Sequence, residues 1–158
     1  MKNVKIMSGV SGSGKSTYAK KLISDLPSDR FGCIVSADNF FMRNGTYQFD
    51  ASLLSLAHGT CFRQFILAMT DEIAPYDLIV VDNTGTSTDE LSPYILGAKA
   101  FNYDAEIITV NVARNDLHKC AERNAHGAPI NVIQSQADRI ANRKLPRYWK
   151  SAVIPATF

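Results

Sequence analysis

Eight consecutive residues, Gly9-Val10-Ser11-Gly12-Ser13-Gly14-Lys15-Ser16, set glycines, a lysine and a hydroxyl at the spacing of a phosphate-binding loop. The glycines permit tight wrapping, and backbone N–H groups from Ser11 to Thr17 can converge on phosphate oxygens. Lys15 can reach the β and γ phosphates, and the Ser16 hydroxyl can face Mg²⁺. The apolar run Val4-Lys5-Ile6-Met7 precedes the loop, and Ser16 to Ile23 continues it as a helix whose positive end faces the phosphates. A nucleoside triphosphate, ATP with Mg²⁺, is the ligand this chemistry suits.

Three further apolar runs end in groups suited to the same reaction. Leu78-Ile79-Val80-Val81 ends at Asp82, a carboxylate placed to hold Mg²⁺ directly or through water; a turn or helix-capping aspartate is the plain alternative. Cys33-Ile34-Val35-Ser36 leads to Asp38, which can accept a proton from an attacking hydroxyl, or else form an Asx-turn. After Val112 come Arg114, Lys119 and Arg123, with the last two one helical turn apart. Arg114 and Arg123 can close a lid over transferring phosphate, or belong to a solvated basic helix.

The elements that must hold these groups follow an α/β plan. Strands are expected at 3–8, 32–36, 78–82 and 106–112, and helices at 15–26, 50–70, 87–101, 116–124 and 130–142. Ala152-Val153-Ile154 can add a last short strand. Ile79-Val80-Val81 and Ile107-Ile108-Thr109-Val110 lack polar alternation, as parallel strands covered on both faces do. Ser87 with Glu90 three residues on reads as a capping box. With 158 residues and 46% hydrophobic content, one domain spanning 1–158 is expected. No run is long enough to cross a membrane and no signal or transit peptide is evident, so a soluble cytoplasmic protein is expected. Cys33, Cys61 and Cys120 lack metal spacing and read as reduced, mostly buried thiols. The net charge of +2 hides an asymmetry: residues 1–109 hold nine Lys/Arg against twelve Asp/Glu, and 110–158 hold eight against three. A basic C-terminal lobe suits closure over triphosphate or contact with nucleic acid.

Together Gly9 to Thr17, Ser36-Ala37-Asp38, Val81-Asp82-Asn83-Thr84, Ala57-His58, Pro93-Tyr94 and Arg123-Asn124-Ala125-His126-Gly127-Ala128-Pro129 resemble the polynucleotide-kinase-like P-loop kinases. The resemblance covers nearly the whole chain. It implies a P-loop NTPase three-layer sandwich, with a five-stranded parallel sheet of order 2-3-1-4-5 and a helical lid near 114–129. It implies that Asp38 activates the acceptor, that Arg123 contacts phosphate, and that Lys15 and Ser16 act as in the family's loop. The chain departs from the pattern at three places: Phe41 replaces an arginine that grips the acceptor phosphate, Gly85 an asparagine, and Asp89 a tryptophan.

Phe40, Phe41, Arg43, Tyr47 and Phe49 surround an Asn44-Gly45 turn and can form an acceptor pocket, or anchor the loop on the following helix. Arg43 can stand in for the missing arginine. His58 shares a helical stripe with Leu54, Cys61, Phe65 and Ala68, which predicts a core histidine, with a substrate contact as the alternative. Basic and aromatic residues from Arg139 to Lys150 can touch nucleic acid or clamp adenine. The expected function is ATP-dependent phosphoryl transfer to a hydroxyl, foremost the 5′-hydroxyl of DNA or RNA. The alternatives are a nucleoside, a small alcohol or a hydroxymethylated base as acceptor, and an ATP-regulated binding module for nucleic acid or protein. The compact pattern fits a phage or bacterial end-processing enzyme.

Overall fold

The computed structural model describes residues 2–71, 73 and 75–158. Its main sheet is built from β1 (Asn3–Ser8), β2 (Gly32–Val35), β5 (Leu78–Val81), β6 (Asp104–Asn111) and β7 (Lys150–Pro155). Their spatial order is β2-β5-β1-β6-β7 and every pairing is parallel. Counting only these strands, this is the expected order 2-3-1-4-5. A two-stranded antiparallel hairpin, β3 (Met42–Arg43) with β4 (Thr46–Tyr47), stands apart from it.

Both faces of the sheet are covered, which explains the unbroken apolar runs. Leu78 and Val80 point to one face with Met7, Ile108 and Val110, packed against Ala19 of α1 (Lys15–Ser24). Ile79 and Val81 point to the other with Val4, Ile6 and Ile107, under α2 (Leu54–Thr70) and α3 (Thr88–Ala100). Phe65 of α2 is fully buried there between Phe62 and Tyr94. A smaller cluster joins Val10 to Leu117 and Cys120 of α4 (Leu117–Arg123) and Ile133 of α5 (Ile130–Asn142). That cluster docks the two last helices beside the strand exits.

Boundaries differ from expectation where pairing overrides local pattern. β6 starts two residues early because Asp104 and Ala105 pair with Asn3 and Val4, and β7 runs six residues because it follows β6 from Glu106 to Asn111. Residues 51–53 form a 3₁₀ turn before α2, capped by Asp50, whose carboxylate accepts from Ser52 N at 2.9 Å. Cys61 and Cys120 are buried, Cys33 is half-buried, and all three are free thiols. Among the described residues no helix is long and apolar enough to cross a membrane.

Candidate functional site

The loop between β1 and α1 presents an anion cradle. Gly14 caps α1 in the left-handed region (φ 97°, ψ 9°), and the first intrahelical bond runs from Tyr18 N to Gly14 O at 3.0 Å. N–H groups of the preceding turn therefore lack intrahelical acceptors and face outward with the positive end of the dipole. Gly12 is required by contact as well as by φ (+77°): a Cβ there would stand 2.1 Å from Cys120 O in α4. Ser13 Oγ is buried without a hydrogen-bond partner. The cleft of about 200 Å³ above the loop is bordered by Lys15, Ser16 and Thr17, by Asp38 and Asp82, and by Arg123.

Lys15 Nζ donates to Val10 O at 2.7 Å. Burial pushes its ammonium down to about 8, against the opposing pull of Asp82 and Asp38. Asp82 is also buried, and burial raises its carboxyl, countered by a hydrogen bond from Ser16 and by Lys15. No cluster of three or more His, Cys, Asp or Glu suited to a metal occurs among the described residues. The pair Ser16 and Asp82 instead offers two oxygen ligands, the sparse protein share typical of Mg²⁺ held with substrate phosphates.

Asp38 sits on a 3₁₀ turn (37–41) tied to the Asp82 exit. Ser36 Oγ accepts from Asp38 N (3.3 Å) and donates to Asp82 O (2.8 Å), while Asn83 Oδ1 accepts from Ala37 N (2.9 Å). Tyr47 donates its hydroxyl to Asp38 Oδ1 at 3.0 Å, and His126 Nε2 lies 3.4 Å from Oδ2. Burial first, and the Asp38 carboxylate beside it, raise the Tyr47 hydroxyl above its ordinary range, so it remains a donor. The Tyr47 and His126 rings are 4.1 Å apart.

Beyond Asp38 a groove of about 450 Å³ opens between the hairpin, with Tyr47 and Phe49, and α5, with Val132, Gln136 and Arg139. Ser11, Asp38, Asn83, Thr84 and His126 border both the phosphate cleft and this groove. Asp38 thus stands at the seam between the cleft and the groove.

The other expected residues distribute unevenly. Arg123 reaches the cleft, donating from Nε to Gly12 O (2.7 Å) and from Nη1 to Thr157 O (2.5 Å). Arg114 does not line it; its guanidinium pairs with Asp138 of α5. Phe41 is 2% exposed and packs beneath Tyr47 and Phe49, and Phe40 packs against the core, so both anchor the hairpin. Arg43 lies in the exposed hairpin, outside the residues lining the groove. His58, expected in the core, is exposed and lines the groove, because it lies at the edge of a stripe whose centre is Cys61 and Phe65. Ser87 Oγ accepts from Glu90 N as a capping box requires, yet the Glu90 carboxylate takes Thr86 N at 2.7 Å.

Sequence reasoning left out Gln136, and it read Arg143 only within a basic and aromatic stretch that can touch nucleic acid or clamp adenine. Gln136 Oε1 accepts from Ser11 N at 2.8 Å, fastening the loop to α5. Arg143 donates to Ser8 Oγ and Gly85 O, both at 2.6 Å, and to Thr109 Oγ1 at 2.7 Å, bridging the exits of β1 and β6. Tyr47 was read with its neighbours as forming an acceptor pocket or anchoring the loop, and His126, within a quoted motif, carried no assigned role.

A family model described as an AAA domain matches residues 4–145. The chain belongs to this AAA domain family. Human NEDD4-binding protein 2 is 37% identical over 151 residues, which are 95% of this chain and 8% of that protein's length. Among solved structures, Chaetomium thermophilum Kti12 in complex with ADP-AlF3 aligns over 98% of this chain and 89% of its own, with a TM-score of 0.62 and 15% identity. A chain of the Pnkp1/Rnl/Hen1 RNA repair complex aligns over 89% of this chain and 44% of its own, with a TM-score of 0.67 and 16% identity. These likenesses concern the fold alone, and they agree with the α/β architecture and parallel sheet described above.

Proposed function

We propose that the protein is an ATP-dependent kinase that transfers the γ-phosphoryl group to a hydroxyl, foremost the 5′-hydroxyl of DNA or RNA. The observation that carries this reading is the position of Asp38 at the seam of cleft and groove. A binding module that only hydrolyses ATP has no need of a carboxylate facing a second, nucleotide-sized space. Tyr47 holds one oxygen of that carboxylate, leaving the other, beside His126, to take the acceptor's proton. As the acceptor oxygen bonds to phosphorus, the bond to the ADP oxygen breaks and the O–H proton passes to Asp38. The N–H groups of the loop with Ser11, Gly12, Ser13, Gly14 and Thr17, together with Lys15, hold the phosphates. Arg123 is within the same cleft to balance charge on the moving group. Ser16 and Asp82 would hold Mg²⁺, which neutralises charge on the β and γ oxygens when bound.

The nucleic-acid choice of acceptor is supported by the aromatic wall of Tyr47 and Phe49, which suits base stacking, and by the likeness to a chain from an RNA repair complex. The test is transfer of labelled γ-phosphate from ATP with Mg²⁺ to 5′-hydroxyl DNA and RNA oligonucleotides, hydroxymethylated duplex and nucleosides, with Asp38→Ala alongside. Labelled oligonucleotide ends that vanish in the variant, with ATP affinity kept, are expected. Label on a nucleoside or modified base replaces the acceptor. Undiminished transfer by Asp38→Ala removes the proposed role, and no transfer to any member defeats the kinase reading.

A further inference from the structure

A second cavity, of about 370 Å³, lies between α2 and α3 beside the acceptor groove. Its floor is Ile6, Met7 and Val81 at the exits of β1 and β5, residues that are at most 1% exposed. Its walls are Phe62 of α2 and Leu91, Pro93 and Tyr94 of α3. Interiors pack with few voids larger than water, so a space of this size with an apolar floor is room for a ligand. His58, Asn83 and Glu90 border both this cavity and the groove, and Asn83 borders the phosphate cleft too. One side chain, Asn83, therefore borders all three spaces.

The polar side chains that line it are His58, Asn83, Asp89 and Glu90. The Glu90 carboxylate is already committed to Thr86, whereas the exposed Asp89 carboxylate takes no hydrogen bond among the described residues. A carboxylate accepts and does not donate, so it reads an edge that presents N–H groups. Asn83 is held by Ala37 N, Tyr94 Oη and Cys61 Sγ, and so stays in place at that shared border. A flat ring with apolar faces and an N–H edge matches walls and rim together, and a guanine edge offers two adjacent N–H donors to one carboxylate.

The geometry points to this cavity as the seat of the acceptor's terminal base, lying against Phe62 and Tyr94 with its donor edge at Asp89. The assignment rests on the kinase reading above. A 5′-terminal nucleotide has only its sugar between the reactive 5′-oxygen and its base, so a hydroxyl at Asp38 leaves the base within reach of the opening at Asn83 and His58. The consequence is selection among acceptors by their first base, with guanine favoured over uracil, whose edge offers one donor between two acceptors.

The deciding experiment has a binding arm and a transfer arm. In the first, 5′-hydroxyl oligonucleotides bearing 2-aminopurine at position one or position four are titrated with the whole protein in the absence of ATP. Quenching confined to position one is expected; equal or absent quenching overturns the base seat whether or not transfer occurs. In the second, an oligonucleotide with an abasic first residue should show a KM raised on the order of tenfold or more, the size of effect that losing one base–aromatic stack produces. Ends beginning with guanine should have a KM several-fold below ends beginning with uracil. Asp89→Asn should bring that preference under twofold. If the abasic end is used as well as the intact one, the base seat is wrong while the kinase reading stands; if no end is phosphorylated yet position one is quenched, the kinase reading fails and the base seat stands.

Discussion

Nucleotide binding should draw a proton onto Lys15, and the amount can be worked out from its burial. In the free protein the ammonium titrates near 8 instead of 10.5, chiefly because burial strips its water. The displacement corresponds to about 3 kcal/mol between charged and neutral forms. A triphosphate in the cleft supplies the missing counter-charge and returns the group to at least its ordinary range. At pH 9 the free protein then holds about 0.1 proton on Lys15 and the complex about 0.97, an uptake of about 0.9; at pH 7 uptake is about 0.1. The triphosphate itself is fully ionised at pH 9 and contributes little. Calorimetry of Mg-ATP binding in two pH 9 buffers of different ionisation enthalpy reads the proton count directly. Uptake under about 0.2, or the same uptake in Lys15→Met, would refute the argument. Folding carries the same signature with its own sign: between 8 and 10.5 the unfolded chain binds more protons than the native one. The free protein therefore gains stability as pH rises through that window, by up to about 3 kcal/mol, and shows no dependence from this group below it.

Gly12→Ala forces a Cβ to 2.1 Å from Cys120 O at φ +77°, so α4 must move off the loop; a fall in melting temperature of several degrees and at least tenfold weaker ATP binding are expected by thermal unfolding with and without nucleotide. Arg143→Met leaves Ser8 Oγ, Thr109 Oγ1 and Gly85 O without this donor at the strand exits, and urea unfolding should show a loss of about 2–4 kcal/mol. Arg143→Lys should recover less than half of it, because one ammonium cannot span acceptors that a planar fork reaches. Asp82→Asn should weaken Mg-ATP at least tenfold while leaving metal-free ATP binding within about twofold, measured by calorimetry with and without chelator.

What was legible in the sequence is what local physics determines. Leu78 to Val81 read as a covered parallel strand because both faces need apolar side chains, and all four are buried. Asn44-Gly45 read as a turn because both residues tolerate positive φ, and they adopt 50° and 78°. The loop read as a cradle because its glycines and lysine have fixed spacing. What escaped depends on partners distant in sequence. Phe41 looked available to substrate, but the hairpin folds Tyr47 and Phe49 over it. Arg114 looked like a lid arginine, but Asp138 arrives from α5 to take its charge. His58 matched the core stripe in period, and periodicity does not tell which edge of a stripe borders a cavity. Arg143 read as part of a stretch able to touch nucleic acid or clamp adenine, and its observed acceptors escaped because they lie 135, 58 and 34 residues away.

The contacts made by the loop bear on how the proposed reaction would join phosphate to acceptor. Lys15 rests on Val10 O, Ser11 N on Gln136, and Arg123 on Gly12 O; each is a donor that an anion would claim. Phosphate entering the cleft therefore exchanges hydrogen bonds instead of filling a void, and its net gain comes from charge, because a hydrogen bond to an ion is about twice as strong as one to a carbonyl. Two of the three displaced contacts belong to other elements: Gln136 to α5, whose neighbouring side chains wall the acceptor groove, and Arg123 to α4, which leads directly to His126 on Asp38. An anion that drew Arg123 off Gly12 O would act on the end of α4, three residues before the histidine beside Asp38. The chain between the two contacts is Asn124 to His126, and it includes no strand of the sheet.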